Sequence, residues 1–181
     1  NTLTTVAGIP FYQGDSGSIY THDVSGTDST AQQNTAYGIG AMDAITTGDN
    51  NTAIGASALS ANTTGLHNTG IGRESLRDNT TASGNTALGQ SSMAANTTGT
   101  RNLAIGFAAY NSSDTENDNI AIGYDAMTTN TAGGTKNIAL GNYALDALTS
   151  GDQNVVVGYE AGTAVTTAGA NTLVGHTAGD A

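Results

Sequence analysis

The sequence predicts an all-β protein, a β-solenoid or β-roll of about nine 17-residue rungs, each rung being one turn of the chain. Three observations support this fold class. An Asn is followed four residues later by a Gly in nine copies, which start 17 residues apart except for one step of 18. The composition, with 25 Gly, 1 Pro and no Trp, disfavours long helices and a wide core. Small and β-branched residues follow most of the asparagines, as in a short strand.

The repeated Asn and Gly predict a structural ladder along the rod. Asn tolerates left-handed backbone, and its amide can bond to the next rung, whereas Gly suits a turn with positive φ or close backbone approach. The asparagines are Asn34, Asn51, Asn68, Asn85, Asn102, Asn119, Asn137, Asn154 and Asn171. The glycines are Gly38, Gly55, Gly72, Gly89, Gly106, Gly123, Gly141, Gly158 and Gly175.

The three residues between Asn and Gly predict a strand that is covered on both faces. The third position after the Asn is expected to form a buried apolar ladder of Tyr37, Ile54, Ile71, Leu88, Ile105, Ile122, Leu140, Val157 and Val174. The first position is β-branched in all copies but one and shares strand parity with that ladder, while the position between them is small or apolar. A strand with two apolar faces needs two coverings.

A second inward contact is expected seven residues after each Asn, where every copy has Ala or Ser, followed in most copies by Met, Leu or Tyr. Even so, a 17-residue turn filled mainly with small residues looks under-packed as a single chain. The simplest second covering of the strand is another copy of the chain packed about the rod axis. The sequence therefore predicts an intertwined or side-by-side homotrimer.

The domain organisation follows from where the repeat applies. Residues 1–33 break the repeat and concentrate Pro10, Phe11, Tyr12 and Tyr20, which indicates an N-terminal cap or junction. Residues 34–181 form the repeat β-roll with nine rungs, the last incomplete. An incomplete last rung leaves a strand edge that can template association, so an end-to-end filament is an alternative to an isolated trimer.

Composition argues against several classes of function. A net charge of −11, with only 4 Lys and Arg, cannot neutralise a phosphate backbone, so nucleic-acid binding is not expected. Apolar runs of about four residues are far shorter than the ~20 that span a bilayer, so membrane insertion is not expected. No catalytic triad, paired acids or phosphate loop occurs, which predicts no enzyme, no cofactor and no metal. The stretch holding Asp114, Glu116 and Asp118 is interpreted as a solvated acidic loop rather than a calcium site.

The copies resemble the head repeats of trimeric autotransporter adhesins, and they are similar to repeat arrays of phage tail fibres. The runs that carry this resemblance are 51–55, 102–106 and 119–123, in which Asn, two small or apolar residues, Ile and Gly follow one another. The resemblance implies a homotrimeric extracellular fibre on a virion tail or a cell surface. In the adhesin heads the Asn usually lies five residues before the Gly and the rung is shorter, so the loop here is longer.

Six residues at variable positions after the Gly are expected on the surface: Arg73, Phe107, Tyr124, Tyr143, Tyr159 and His176. Aromatic side chains on a rod can stack on sugars, but packing on the surface or at a trimer edge is the favoured interpretation. The predicted function is a structural and adhesive fibre segment that attaches to a host surface glycan or protein. The alternatives are a self-assembling extracellular filament and an ice-binding solenoid. Ice binding is disfavoured because Leu103, Ile120, Ile138 and Val155 interrupt the Thr column.

Overall fold

The computed structural model of the chain describes residues 3–6, 9–13, 19–20, 30–129 and 133–180. Twelve β-strands and no helix occur in this part of the chain. The first three strands are β1 (Leu3–Val6), β2 (Ile9–Gln13) and β3 (Ile19–Tyr20). The repeat contributes β4 (Thr35–Tyr37), β5 (Thr52–Ile54), β6 (Thr69–Ile71), β7 (Thr86–Leu88), β8 (Leu103–Ile105), β9 (Ile120–Ile122), β10 (Ile138–Leu140), β11 (Val155–Val157) and β12 (Thr172–Val174).

All twelve strands form one sheet in the order of the chain. The pairs β1/β2 and β2/β3 are antiparallel. From β3 to β12 every neighbouring pair is parallel, so Ile54 lies beside Ile71 and each later strand repeats this register. Parallel neighbours need a return connection, which here is one turn of a solenoid. The predicted all-β solenoid is confirmed, with about eight turns between β4 and β12 at a spacing of ~4.8 Å.

The interior of the solenoid is a narrow column of small residues and one larger side chain per turn. The small residues include Ala53, Ala87 and Ala121 from the strand centres, and Ala58, Ala109 and Ala144 from the facing segment. The larger side chain belongs to the residue that directly follows the Ala or Ser of the facing segment. These residues are fully buried: Met42, Leu59, Leu76, Met93, Tyr110, Met127 and Leu145. The second inward contact predicted from the sequence is therefore confirmed.

The predicted burial of the third strand position is wrong. Tyr37 is 53% exposed, Leu88 43% and Val174 70%, and the other members of this set are exposed or half-buried. Strand alternation explains the error, because the buried Asn and the small central residue share one face while the first and third positions share the other. The interior already holds the larger Met, Leu or Tyr side chain, which leaves space only for Ala opposite it. The bulky aliphatic residues therefore form the outer face of the sheet.

Left-handed backbone recurs at three positions of each turn. In one turn these are Asn50 (φ 58°), Ser57 (φ 57°) and Leu59 (φ 50°), and 23 residues other than Gly have positive φ in the described chain. This conformation is uncommon for residues with a Cβ, and it persists when the surrounding contacts enforce it. At Leu59 and the equivalent residues of other turns, the left-handed backbone directs a large apolar side chain into the core.

Candidate interaction surface

The repeated asparagines form a buried ladder along the solenoid. The backbone N–H of each Asn from Asn51 to Asn171 donates to Oδ1 of the Asn one turn earlier, at 2.8–3.0 Å. In the same column, Nδ2 donates to a backbone carbonyl at the end of its own turn, as from Asn51 to Gly65 at 2.8 Å. From Asn34 to Asn154 each amide thus joins two turns and closes one, which satisfies backbone groups that the narrow interior cannot hydrate.

A shorter second ladder lies on another side of the interior. Nδ2 of Asn79 donates to Oδ1 of Asn62 at 2.9 Å, and Nδ2 of Asn96 donates to Oδ1 of Asn79 at 3.1 Å. The next turn has Ser113 at this position, where the side chain is too short to continue the column. Oδ1 of Asn96 and Oγ of Ser113 are buried and have no hydrogen-bond partner among the described residues. The ladder therefore ends on two unsatisfied polar atoms.

The repeated glycines stack at the corner that follows each strand. Their φ angles lie in the positive region, for example +137° at Gly89 and +134° at Gly106. A Cβ on Gly89 would lie 2.3 Å from the carbonyl oxygen of Gly106 in the next turn. Both the backbone conformation and the close approach of consecutive turns exclude a side chain at this corner.

Glu116 departs from the expected solvated loop, because its side chain is buried. One carboxylate oxygen accepts the backbone N–H groups of Asp114 and Thr115 at 2.9 and 3.2 Å, and the other accepts that of Gly133 at 3.1 Å. Other turns have Gly or Ala at this point, and Gly133 belongs to the turn with the 18-residue step. The carboxylate therefore ties the irregular turn to the regular one before it, and Glu116 has no charged partner among its described contacts.

The outer face of the sheet is a partly exposed surface that runs along the whole repeat. From β4 to β7 each strand presents Thr and then Tyr, Ile or Leu, whereas from β8 to β11 both positions are aliphatic. Val155 is 37% exposed and Ile54 40%, which is high for residues of this kind in a sheet. The face thus has a mixed half and a fully aliphatic half, and both lack any covering element within the described chain.

An aromatic ladder runs beside the aliphatic half, at the edge that follows the glycine corner. Ring centroids are 5.2 Å apart for Phe107 and Tyr124, 5.4 Å for Tyr124 and Tyr143, and 6.0 Å for Tyr143 and Tyr159. His176 stacks on Tyr159 at 5.6 Å. Five of the six surface residues singled out in the sequence are therefore brought together, whereas Arg73 lies two turns before Phe107 and pairs with Glu74.

Carboxylates flank this aromatic ladder. The charge of Asp125 raises the pKa of Tyr124, and the hydrogen bond with Glu160 is the largest cause of the raised pKa of Tyr159. Partial burial raises the pKa of Asp125 itself. Between Phe107 and His176 this edge carries no Lys or Arg. The aromatic edge is consequently both apolar and acidic.

The opposite edge, formed by residues that directly precede each Asn, carries the basic groups of this half. Arg101 is exposed and bonds through Nε to Asp118 at 2.6 Å, which lowers the pKa of the Asp118 carboxyl. Lys136 is exposed and forms no salt bridge with a described residue. The two long edges of the aliphatic half thus differ in charge.

The described residues contain no group of three or more Asp, Glu or His placed to hold a metal ion. His67 and His176 lie in different parts of the rod, and His22 is outside the described residues.

Several Thr hydroxyls form hydrogen bonds within the solenoid, as Oγ1 of Thr63 donates to the carbonyl of Thr80 at 3.0 Å. No helix in this part of the chain is long and apolar enough to cross a bilayer. The outer face and its edges are therefore the candidate functional surface.

Comparison with protein-family models, curated proteins and solved structures gives no match for this chain.

Proposed function

We propose that this chain is a structural and adhesive segment of an extracellular homotrimeric fibre that serves attachment to a host or other surface. The observation that carries the proposal is the outer sheet face, which presents a bulky apolar side chain on each of nine successive strands, is aliphatic at both positions from β8 to β11, and is partly exposed. Monomeric proteins rarely expose a continuous apolar surface of this length, and such surfaces mark sites of association. Three copies with this face turned toward a common axis would bury it.

Threefold association also fits the width of the face. Each strand presents two outward side chains, as Ile120 and Ile122 in β9, so three chains supply six side chains to each layer. Six aliphatic side chains could then pack together around the common axis, provided that the layers are in register. A cyclic arrangement keeps them in register because rotation about the rod axis leaves the height of every turn unchanged.

The solenoid is suited to a mechanical role because its contacts are repeated rather than centralised. Backbone pairing, the Asn ladder and the Gly corner recur in every full turn between β4 and β12. A rod built in this way is held by contacts between adjacent turns. Three parallel rods would present each surface residue three times, so weak individual contacts with a target would add up.

Analytical ultracentrifugation of the purified chain tests the proposal. A single species with the mass of three 18.0 kDa chains is expected across a wide range of concentrations. A stable monomer at concentrations of tens of micromolar would overturn it. Long polymers in the same experiment, visible by electron microscopy, would instead support the filament alternative.

A further inference from the structure

The two edges of the aliphatic half are complementary, and a cyclic trimer brings them together. In a cyclic trimer each interface is heterologous, since one side of a subunit meets the opposite side of the next subunit. When three outer faces surround one axis, two different edges meet at each interface. The edge formed by the residues that precede each Asn in one chain lies against the edge formed by the residues that follow each Gly in the neighbouring chain. Residues at the same height on the two edges therefore become neighbours.

Lys136 and Tyr143 share one turn, because they lie on either side of β10. Tyr143 is followed along its edge by Glu160 one turn later and preceded by Asp125 one turn earlier. Backbone hydrogen bonds stack these turns, from Tyr143 to Tyr124 at 2.9 Å and from Glu160 to Asn142 at 3.0 Å. A cation that approaches the ring of Tyr143 would thus lie between the two turns that carry these carboxylates.

We propose, resting on the trimeric fibre described above, that Lys136 of each chain packs against Tyr143 of the neighbouring chain, between Asp125 and Glu160. An ammonium group over an aromatic ring is attracted by the ring's electron density, and the flanking carboxylates strengthen that attraction. Lys136 has no salt bridge within its own described chain, although its charge contributes to the lowered pKa of Asp118 and Asp152. The contact fixes both the register and the direction of the chains.

A second pair at the same edges agrees with this register. Arg101 and Phe107 share the turn of β8, so in the proposed trimer the exposed guanidinium of one chain would face the exposed ring of the next. Asp118 and Asp125 also share a turn, so they would be neighbours across the interface. The charge of Asp118 is already paired with Arg101 of its own chain. The in-register arrangement therefore places basic groups opposite aromatic rings without leaving two unpaired carboxylates in contact.

Disulfide trapping tests the contact, because the chain has no native Cys. Within one chain, residues 136 and 143 are separated by the strand and its flanks at ~3.3 Å per residue, too far for a disulfide, which needs Cα atoms within ~7 Å. The double variant Lys136→Cys/Tyr143→Cys is expected to form covalently closed trimers on mild oxidation. The variant Asn50→Cys/Tyr143→Cys, whose sites lie five turns apart or ~24 Å along the rod, is the matched control and should not.

A charge exchange provides a second readout. Lys136→Glu should weaken subunit association by about tenfold or more, and adding Glu160→Lys should restore most of the loss. A wild-type trimer in which the Lys136→Cys/Tyr143→Cys pair stays reduced and Lys136→Glu changes nothing would overturn this contact while leaving the fibre proposal intact. A monomeric wild-type chain would overturn both.

Discussion

The backbone N–H of Asn102 lies 2.9 Å from Oδ1 of Asn85 and donates a hydrogen bond to it. Nδ2 of Asn85 donates at the same time to the carbonyl of Gly99 at 2.7 Å. One side chain therefore satisfies a donor in the following turn and an acceptor in its own. Because both of these backbone groups are remote from solvent in the interior, their pairing depends on this amide.

Asn85→Ala should destabilise the rod by about 3 kcal/mol, since it leaves a buried N–H and a buried carbonyl without partners, at about 1–3 kcal/mol each. The amide hydrogen of Asn102 should also exchange with solvent much faster. Gln90→Ala is the matched control, because Gln90 is an exposed residue of the same turn and its removal should change stability by less than about 0.5 kcal/mol. Equal effects of the two substitutions in thermal unfolding would contradict the role of the ladder.

Gly89→Ala should cost about 3 kcal/mol or more, because the new Cβ would collide with the Gly106 carbonyl at a backbone angle that favours Gly. Gly84→Asn is the control. Gly84 also has positive φ, but a Cβ there meets nothing closer than 3.8 Å, and other turns hold residues such as Asn50 and His67 at this position. Urea unfolding of both variants would show a large loss of stability for Gly89→Ala and a small change for Gly84→Asn.

Val155→Asp should weaken trimer formation on the order of 100-fold or more, because three carboxylates would be buried near the axis without partners. Leu66→Asp provides a close control, since Leu66 is 36% exposed and Val155 37%, but Leu66 lies outside the outer face. Both variants should keep the far-ultraviolet circular dichroism of the wild-type protein, since neither substitution is expected to unfold the chain. If Leu66→Asp dissociated the trimer as strongly as Val155→Asp, the outer face would not be the interface.

Ser113→Asn should stabilise the chain by about 1 kcal/mol, because it offers a donor to the unsatisfied Oδ1 of Asn96 and exchanges the unsatisfied hydroxyl of Ser113 for the amide oxygen of the new side chain, so that one buried oxygen gains a partner. The three preceding turns already hold Asn at this position, which shows that the interior can accommodate the side chain there. Ser112→Asn, on the adjacent half-buried residue, should have little effect. A lower unfolding temperature for Ser113→Asn than for the wild-type protein would show that the ladder cannot be extended.

Two carboxylates should contribute to stability with opposite pH dependence. The backbone N–H and the hydroxyl of Thr135 donate to Asp152 and hold its pKa below the ordinary value, so its charged form stabilises the fold above that value. This contribution is lost as the pH falls through the lowered pKa. Burial raises the pKa of Asp146, so its charged form destabilises the fold at neutral pH, and protonation relieves that penalty.

Asp152→Asn should therefore lower the unfolding temperature at about pH 7, whereas Asp146→Asn should raise it. The Asp146 difference should shrink first, as the pH falls through the raised pKa of Asp146 toward the ordinary Asp pKa of about 3.9. The Asp152 difference should shrink only below that ordinary value, as the pH approaches the lowered pKa of Asp152. Thermal unfolding followed at several pH values gives the sign of each effect directly. Differences that stay constant across this range would mean that the two substitutions act through packing rather than charge.

The repeat period and the residues that recur at each position determine most of the fold, which is why the stacked turns and the inward-facing segment could be predicted from the sequence. The prediction failed on which strand positions face the interior. Ile54 is larger and more apolar than Ala53, so a hydrophobicity argument places Ile54 inside, but the space opposite Leu59 admits only the methyl group. The composition of a strand does not show which of its two faces borders the narrower space. The exposed Ile then becomes the strongest sign of association.

The candidate surface was predictable only in part. Tyr124 and Tyr159 occupy the same position of their turns, and their stacking with neighbours follows from the period. The buried carboxylate of Glu116 could not be foreseen, because an acidic residue beside Asp114 and Asp118 has the pattern of a solvated loop. The signal that points to it is its position, which is Gly or Ala in other turns, directly before the only irregular step.

The Gly corner makes the length of this rod a matter of copy number. Because consecutive turns meet through identical backbone contacts at Gly72, Gly89 and Gly106, a duplicated 17-residue unit has the same neighbours as the unit it was copied from. Unequal recombination within such a gene can lengthen or shorten the product in steps of ~4.8 Å without redesigning a core. A gene of this kind can adjust how far its product reaches while each added turn makes the same backbone contacts with its neighbours.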